Sequence, residues 1–161
     1  MITVDVQHAS ERGDLPSEAT IRHWVESLFV PHDRGELTIR LVESPESQAL
    51  NRQFRNVDKS TNVLSFPADW TLEGGDPYFG DIAICTDVVH RESGEQGKSF
   101  QAHLAHMVIH GVLHLLGYDH EQDGDAEIME AREVEALSRL GFNHPYETNQ
   151  DHHSKVRGTP E

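Results

Sequence analysis

The segment HGVLHLLGYDH, residues 110–120, carries three histidines whose spacing suits a single metal ion. On a helix, His110 and His114 lie about 6 Å apart along the axis, so both imidazoles can reach one zinc ion. Gly117 permits a left-handed turn, which lets His120 approach from outside the helix. Three histidines leave a fourth coordination position open, and such an open position is typical of catalytic zinc sites.

The residue after the first histidine distinguishes this segment from a metalloprotease motif. With Glu at position 111 it would match H-E-x-x-H-x-x-G-x-x-H, in which the Glu is the general base of peptide hydrolysis. The sequence has Gly111 instead. The spacing therefore predicts a metal site that lacks the usual proteolytic base, although Glu121 could in principle replace it.

Other histidines offer an alternative interpretation of this pair. The chain has 12 histidines, so a pair four residues apart also arises by chance. His103 and His106 lie on neighbouring helical turns and could present a different pair. The combination of the pair with Gly117 and His120 favours the three-histidine site.

An overlapping segment, DHEQDGDAEIME at residues 119–130, resembles a calcium-binding EF-hand loop. Asp119, Asp123 and Glu130 would occupy loop positions one, five and twelve. Glu121 at position three is longer than the usual Asp or Asn. The acids are equally compatible with the start of a helix, where an Asp can cap the backbone and acids suit the helix dipole.

Composition places the chain among soluble single-domain proteins. Its 161 residues, 36% of them hydrophobic, are long enough to enclose one core. No apolar run approaches the roughly 18 residues of a membrane span, and MITVDVQ lacks the basic start of a secretory signal. Cys85 is the only cysteine, which fits a reducing compartment. We therefore expect a cytoplasmic protein with no membrane partner.

The charge balance bears on the kind of partner. A net charge of −15, from 13 basic and 28 acidic side chains, argues against a protein that coats nucleic acid. The stretch from Asn51 to Lys59 nevertheless holds Arg52, Arg55 and Lys59. An acidic protein with a small basic cleft is compatible with both observations.

Hydrophobic periodicity gives the elements that must position these residues. It predicts strands at 2–7, 37–42, 61–67 and 81–89, with the last one central, and helices at 15–30, 44–55, 100–116 and 125–140. Ser44 is the expected N-cap of the second helix, and 69–79 a turn-rich connection. Strands and helices do not strictly alternate, which predicts an α+β fold. We expect one domain, residues 1–142, with a mixed sheet of about four strands packed by helices and the metal site on a long helix and the turn after it. Residues 143–161 are predicted to be a disordered tail.

Three motifs in order resemble the YbeY family of bacterial endoribonucleases, which mature rRNA. The first is H-G-x-L-H-L-x-G-Y-D-H at 110–120, where Gly normally replaces the proteolytic Glu. The second runs from Asn51-Arg52 through Arg55 and Asp58-Lys59 to TNVLSFP at 61–67, and the third is Gly80-Asp81-Ile82. Ser60 departs from the family's usual Pro. The resemblance covers about residues 37–141.

The resemblance implies a site and a substrate. His110, His114 and His120 would hold one zinc ion per chain, although imidazoles also suit other divalent transition metals. Arg55 would be the catalytic cation. The family acts on single-stranded rRNA, in 16S rRNA 3′-end processing and ribosome quality control, which implies the ribosome or its small subunit as a partner. Candidates for contacting substrate or orienting a ligand are Lys59, Asn62, Ser65 and Asp119.

The chemistry of phosphodiester cleavage agrees with this set of residues. Negative charge builds on the nonbridging oxygens, where a metal and the planar fork of Arg55 can both stabilise it. RNA carries its own 2′-hydroxyl nucleophile, which would explain why Gly111 is tolerated. Two alternatives remain open, a metal-dependent hydrolase of another substrate such as a peptide, and a nonenzymatic ribosome-assembly factor whose zinc stabilises the fold. Arg55 could also be a surface cation at a helix end.

Overall fold

The structure is a computed structural model that describes residues 1–118 and 123–142. These residues form four strands and five helices, which are β1 (Ile2–His8), α1 (Glu18–Glu26), β2 (Gly35–Val42), α2 (Ser44–Arg55), β3 (Val63–Thr71), β4 (Pro77–Cys85), α3 (Thr86–Gln96), α4 (Phe100–Leu115) and α5 (Asp123–Arg139). His120, Asp119 and the tail predicted at 143–161 lie outside the described residues.

The strands form one mixed sheet in the order β1-β2-β4-β3. The pairs β1–β2 and β2–β4 are parallel, whereas β3 runs antiparallel to β4. The predicted α+β fold with a four-stranded mixed sheet is therefore confirmed. The segment predicted as the central strand is internal, as β4, and β3 lies at the edge.

The two faces of the sheet differ in what covers them. Leu37, Ile39 and Leu41 alternate along β2 and are fully buried beneath α1 and α4. Thr38 and Arg40, which point to the other face, are only half-buried. Helix α2 covers part of that second face, and a cleft remains beside it. The main core thus lies between the sheet and α4.

Helix α4 is almost wholly buried because its sequence is apolar on nearly every side. It begins after Ser99, whose Oγ accepts a hydrogen bond from the Ala102 amide at 3.0 Å. At its end Gly117 has a φ of +101°, and the Tyr118 amide donates to the Leu113 carbonyl. The predicted left-handed turn at Gly117 is confirmed. Within the described residues, no helix combines the length and apolar character needed to cross a bilayer.

Three predicted boundaries are wrong. The chain does not continue as a strand to residue 89, because helix α3 begins at Thr86, where the buried Thr86 hydroxyl donates to the Val42 carbonyl. The supposed connection at 69–79 is mostly the β3–β4 hairpin, since Pro67 is tolerated within an edge strand. The N-cap of α2 is Glu43 rather than Ser44, whose amide donates to Asp87 instead.

Gly111 lies where α4 approaches the sheet most closely. A Cβ at this position would lie 2.9 Å from Ile82 Cγ2 and 3.4 Å from Ser65 Oγ. The Ser65 hydroxyl donates to the Gly111 carbonyl at 3.3 Å. A side chain at position 111 would therefore point into β3 and β4, so packing alone requires glycine here.

Two helical glycines allow this packing to be tested. We expect Gly111→Ala to destabilise the protein by about 1–3 kcal/mol, because the contact with Ile82 leaves no room for a methyl group. Gly94→Ala on α3 is the matched control. It meets nothing within 4 Å and should stabilise by about 0.5–1 kcal/mol through helix propensity. Urea unfolding of both variants measures the difference, and equal effects would contradict the close approach.

Candidate metal centre

Helix α4 carries His103, His106, His110 and His114 on its successive turns. The rings of His110 and His114 lie side by side, with centroids 4.8 Å apart and planes at 78°. Both side chains retain some exposure, whereas those of His103 and His106 are buried. The predicted neighbourhood of His110 and His114 on one face is therefore present. His120, the third predicted ligand, falls outside the described residues.

A buried carboxylate joins α5 to this row of histidines. Glu133 is fully buried, and its Oε2 lies 2.5 Å from His110 Nδ1. Its Oε1 lies 2.9 Å from His106 Nε2. One carboxylate thus holds two imidazoles of α4 in fixed orientations, and α5 docks beside the predicted ligand pair.

The protonation states of this group follow from its hydrogen bonds. Burial would raise the pKa of Glu133, but hydrogen bonds from His106 and His110 outweigh it and hold that pKa well below its usual range. Burial lowers the pKa of His106, which favours its neutral form. The contact with Glu133 assigns the ring hydrogen of His110 to Nδ1, which donates it to the carboxylate. In that tautomer the lone pair of the ring is on Nε2.

The same three residues could hold a metal ion. One ligand atom each from His106, His110 and Glu133 lie within 4.8 Å of one another. Imidazole and carboxylate are ligands that zinc and related ions accept. This group shares His110 with the three-histidine set predicted from the sequence, so both descriptions place a metal against the same turn of α4.

A second carboxylate occupies the N-terminal half of α4. Glu92 of α3 lies 2.8 Å from His103 Nε2, and the Asn62 amide donates to its two oxygens at 3.1 and 3.3 Å. The side-chain amide of Asn62, a candidate for contacting substrate, thus donates its hydrogen bonds to another residue of the protein. Its place beside Glu92 indicates a structural role.

Arg55 lies at the end of α2, against the edge strand. Its Nη2 donates to the Ser65 carbonyl at 2.8 Å and its Nη1 to the Phe54 carbonyl at 3.3 Å. Because the Ser65 hydroxyl bonds to Gly111 of α4, the segment of β3 that contacts Arg55 also contacts the helix of the histidines. Arg55 is therefore connected through Ser65 to the helix that carries the histidines.

Lys59 lies in an exposed loop that the end of α2 fixes in place. The Asn51 amide donates to the Lys59 carbonyl at 2.9 Å, and Gln48 donates to Asp58 at 2.9 Å. Asn56 turns the chain with a φ of +62°. The backbone of Lys59 is thus held, while its ammonium group is free to reach solvent or a substrate.

The calcium-loop alternative is wrong. Residues 123–130, which would form the second half of the loop, are the first turns of α5. A helix cannot supply the loop geometry in which alternate residues surround one ion. The acidic stretch is instead a helix whose interior acid, Glu133, faces α4.

Sequence reasoning missed Glu133, although a signal for it existed. In α5 the buried side chains Met129, Ala136 and Leu137 form one helical stripe, and Glu133 lies within it. An acid in the buried stripe of a helix needs a partner, because a lone buried charge is very unfavourable. The histidines of α4, which recur at helical spacing, are candidate partners for such an acid.

Comparison with known proteins agrees with this arrangement. A family model described as Endoribonuclease YbeY matches residues 6–141. The chain belongs to the endoribonuclease YbeY family. The resemblance inferred from the motifs is confirmed, and the family's name denotes an RNA-cleaving hydrolase.

Relatives in this family are similar over nearly their whole length. Endoribonuclease YbeY of Pseudomonas putida (strain W619) is 50% identical over 153 residues, covering 94% of this chain and 97% of the relative. Endoribonuclease YbeY of Coxiella burnetii (strain Dugway 5J108-111) is 47% identical over 151 residues, covering 91% and 99%. The solution structure of TM1509 from Thermotoga maritima superposes with a TM-score of 0.60 at 27% identity, covering 87% of this chain and 89% of that one.

The buried His103 predicts a specific pH dependence of stability. Burial lowers its pKa, although Glu92 opposes the shift. The folded state therefore binds fewer protons than the unfolded state below about pH 6.5, and stability falls as pH decreases from there. His103→Gln should reduce this slope by up to about 1 kcal/mol per pH unit. Chemical unfolding between pH 7 and 5, with chelator present, measures it. His23→Gln, an exposed histidine on α1, is the control, and an unchanged slope in His103→Gln would refute the assignment.

Proposed function

We propose that the chain is a zinc-dependent endoribonuclease acting on single-stranded rRNA. His110, His114 and His120 are the proposed ligands, and Arg55 is the cation at the scissile phosphate. The observation that carries the proposal is the contact of the Glu133 carboxylate with Nδ1 of His110, whose ring lies beside that of His114. We extend it to 16S rRNA 3′-end maturation and ribosome quality control in the cytoplasm, with the ribosome or its small subunit as partner.

The side chains present fit a zinc ion. Ligating histidines usually donate their other ring N–H to a carboxylate, which fixes the ring and raises its basicity. Glu133 provides this contact for His110. Both of its oxygens are already engaged by imidazoles in a fully buried position, where a substrate cannot reach. We therefore assign Glu133 to orienting His110 rather than to direct ligation.

The chemistry divides between the metal and the chain. Bound zinc supplies Lewis-acid stabilisation of charge on the phosphate oxygens. The guanidinium of Arg55 is exposed and uses two N–H groups on carbonyls, so further donors remain for a phosphate. RNA supplies its own 2′-hydroxyl as nucleophile. Position 111 contributes no base, since its neighbours in the sheet leave no room for a side chain.

The same packing disfavours the peptidase alternative. In a metalloprotease the residue after the first histidine must reach the metal-bound face of its helix. Here that position points at Ile82 and Ser65 of the sheet. A glutamate at position 111 would clash with the sheet before it reached the histidines, which favours phosphodiester over peptide cleavage.

Arg55→Ala tests the proposed catalytic cation. We expect cleavage of a single-stranded RNA to fall about 100-fold or more, because the developing phosphate charge loses its guanidinium. Metal content, measured by elemental analysis, should be unchanged. Arg52→Ala, three residues earlier on the same helix and also exposed, is the matched control and should retain activity within about threefold.

His114→Ala tests the metal-ligand role separately from the role of Arg55. This variant should lose both the metal and the cleavage activity. If Arg55→Ala cleaves RNA at the wild-type rate, Arg55 has no catalytic role. If His114→Ala retains full metal content and activity, the three-histidine site is wrong.

Glu133→Gln tests the orienting role. Glutamine keeps the shape but accepts from only one of the two imidazoles, so zinc affinity should fall about 10–100-fold. Chelator competition on purified protein measures the affinity without reference to activity. Glu92→Gln, at the other buried carboxylate–histidine contact of α4, is the control and should leave zinc affinity unchanged. Equal losses in both variants would indicate a general effect of destabilising α4.

A further inference from the structure

Four aromatic side chains form a row along the β3–β4 edge, on the sheet face opposite α4. Phe54 of α2 packs edge-on against Phe66, with ring centroids 5.2 Å apart. Trp70 stacks on Tyr78, with centroids 4.6 Å apart and planes at 18°. Phe66 lies opposite Asp81 across the hairpin, and Trp70 lies opposite Tyr78. We call these four residues the aromatic edge.

The aromatic edge is exposed in a way that the core does not require. Phe54 is 51% exposed and Trp70 is 54% exposed. Val57, just beyond α2, is also exposed, at 39%. Large apolar side chains left open next to one another mark a binding surface more often than isolated ones do. Each exposed ring also rests on a second ring, so its open face is held in a fixed orientation.

One cation without a carboxylate partner among the described residues, Arg55, borders the aromatic edge. The Arg55 guanidinium lies over the Phe66 ring, with Cζ 5.1 Å from the centroid. Arg52, Arg55 and Lys59 have no carboxylate within 4 Å in the part of the chain that the structure describes. Seven other arginines in those ranges each have one, namely Arg12, Arg22, Arg34, Arg40, Arg91, Arg132 and Arg139. In a chain of net charge −15, the guanidinium of Arg55 thus places uncompensated positive charge beside the exposed rings.

A cleft behind the aromatic edge has the size and polarity for a nucleobase. It encloses about 580 Å³ between α2 and the open face of the sheet, and Phe54, Phe66 and Tyr78 line one side. Thr38 and Arg40 line its floor. Ligand sites commonly combine such an apolar wall with a few fixed polar groups.

We propose that the aromatic edge is a base-stacking subsite for the single-stranded RNA that passes Arg55. This inference rests on the proposed function and adds to it the way in which the strand is held. Bases of a single strand stack on aromatic side chains whatever their sequence. Phosphates bind cations, but this acidic chain offers few of them. Stacking therefore supplies most of the affinity, and binding depends only weakly on salt concentration.

The distance from Ser65 to Trp70 determines which nucleotides of the RNA reach the aromatic edge. Ser65, whose carbonyl accepts a hydrogen bond from Arg55, lies on β3 five residues before Trp70. Extended-strand geometry places the two residues roughly 16 Å apart. This distance spans a few nucleotides. When the scissile phosphate of an RNA contacts Arg55, flanking bases reach the Trp70–Tyr78 pair, and the bases at the cleaved bond do not.

Tryptophan fluorescence offers a direct test on the full-length protein. The chain has two tryptophans, and Trp24 is 4% exposed and packs against Phe142. Quenching by a bound base therefore reports Trp70. The probe is a 2′-O-methyl pyrimidine octamer, which lacks the nucleophilic hydroxyl and cannot be cleaved by that route. We expect saturable quenching, and none with an octamer that has the same phosphates but abasic sugars.

Variants of Trp70 test whether stacking contributes to affinity. Trp70→Ala should weaken octamer binding about tenfold, and Trp70→Phe should remain within about threefold of the wild type because it keeps a stacking face. Val30→Ala, an exposed apolar residue at 51% in another part of the surface, should bind normally. On a cleavable RNA, Trp70→Ala should raise KM and leave kcat unchanged, as a binding role requires.

Several outcomes would overturn the subsite. If Trp70→Ala binds the octamer as tightly as the wild type, or binds both octamers with the same tenfold loss, base stacking there is excluded. A change in self-association of Trp70→Ala by sedimentation, with RNA binding intact, would make the edge a contact between copies. If quenching and its dependence on bases hold while no metal supports cleavage, the proposed function fails and the subsite stands.

Discussion

One buried carboxylate organises the half of this molecule that carries the proposed metal site. Glu133 sits in the apolar stripe of α5, yet it is ionised, because two imidazoles of α4 donate to it. A buried charge without such donors would cost several kcal/mol, so α5 can dock only where both histidines meet it. The hydrogen bonds that secure the last helix therefore also fix the ring of His110.

The second constraint is the close approach of α4 to the sheet at Gly111. With no side chain between them, the helix backbone lies near Ile82 and accepts a hydrogen bond from Ser65. The carbonyl of Ser65 in turn accepts a hydrogen bond from Arg55. A short sequence of contacts thus connects α4, β3 and the end of α2. The histidine row and the cation belong to one rigid framework although 55 residues separate Arg55 from His110.

Local patterns in the sequence predicted much of this arrangement. Strand alternation gave β1 and β2, the Gly117 turn was read from a single glycine, and the spacing of His110 and His114 was sufficient to place their rings together. Helix α3 was missed because its start continues the apolar run of β4, so no change of period marks Thr86. Glu133 was missed because its role depends on contact between two helices, which the spacing within either one does not encode. The contact of Asn62 with Glu92, 30 residues later in the chain, likewise depends on tertiary structure rather than on local spacing.

The resting position of Arg55 has a consequence for solubility. Strand β3 is one of the two edge strands of the sheet, and unpaired backbone groups on an edge strand can pair with another chain. The guanidinium of Arg55 donates a hydrogen bond to the Ser65 carbonyl of this strand. Further along, the bulge between Pro67 and Trp70 interrupts the regular strand. Arg55, the proposed phosphate contact, thus also occupies a backbone acceptor of an edge strand.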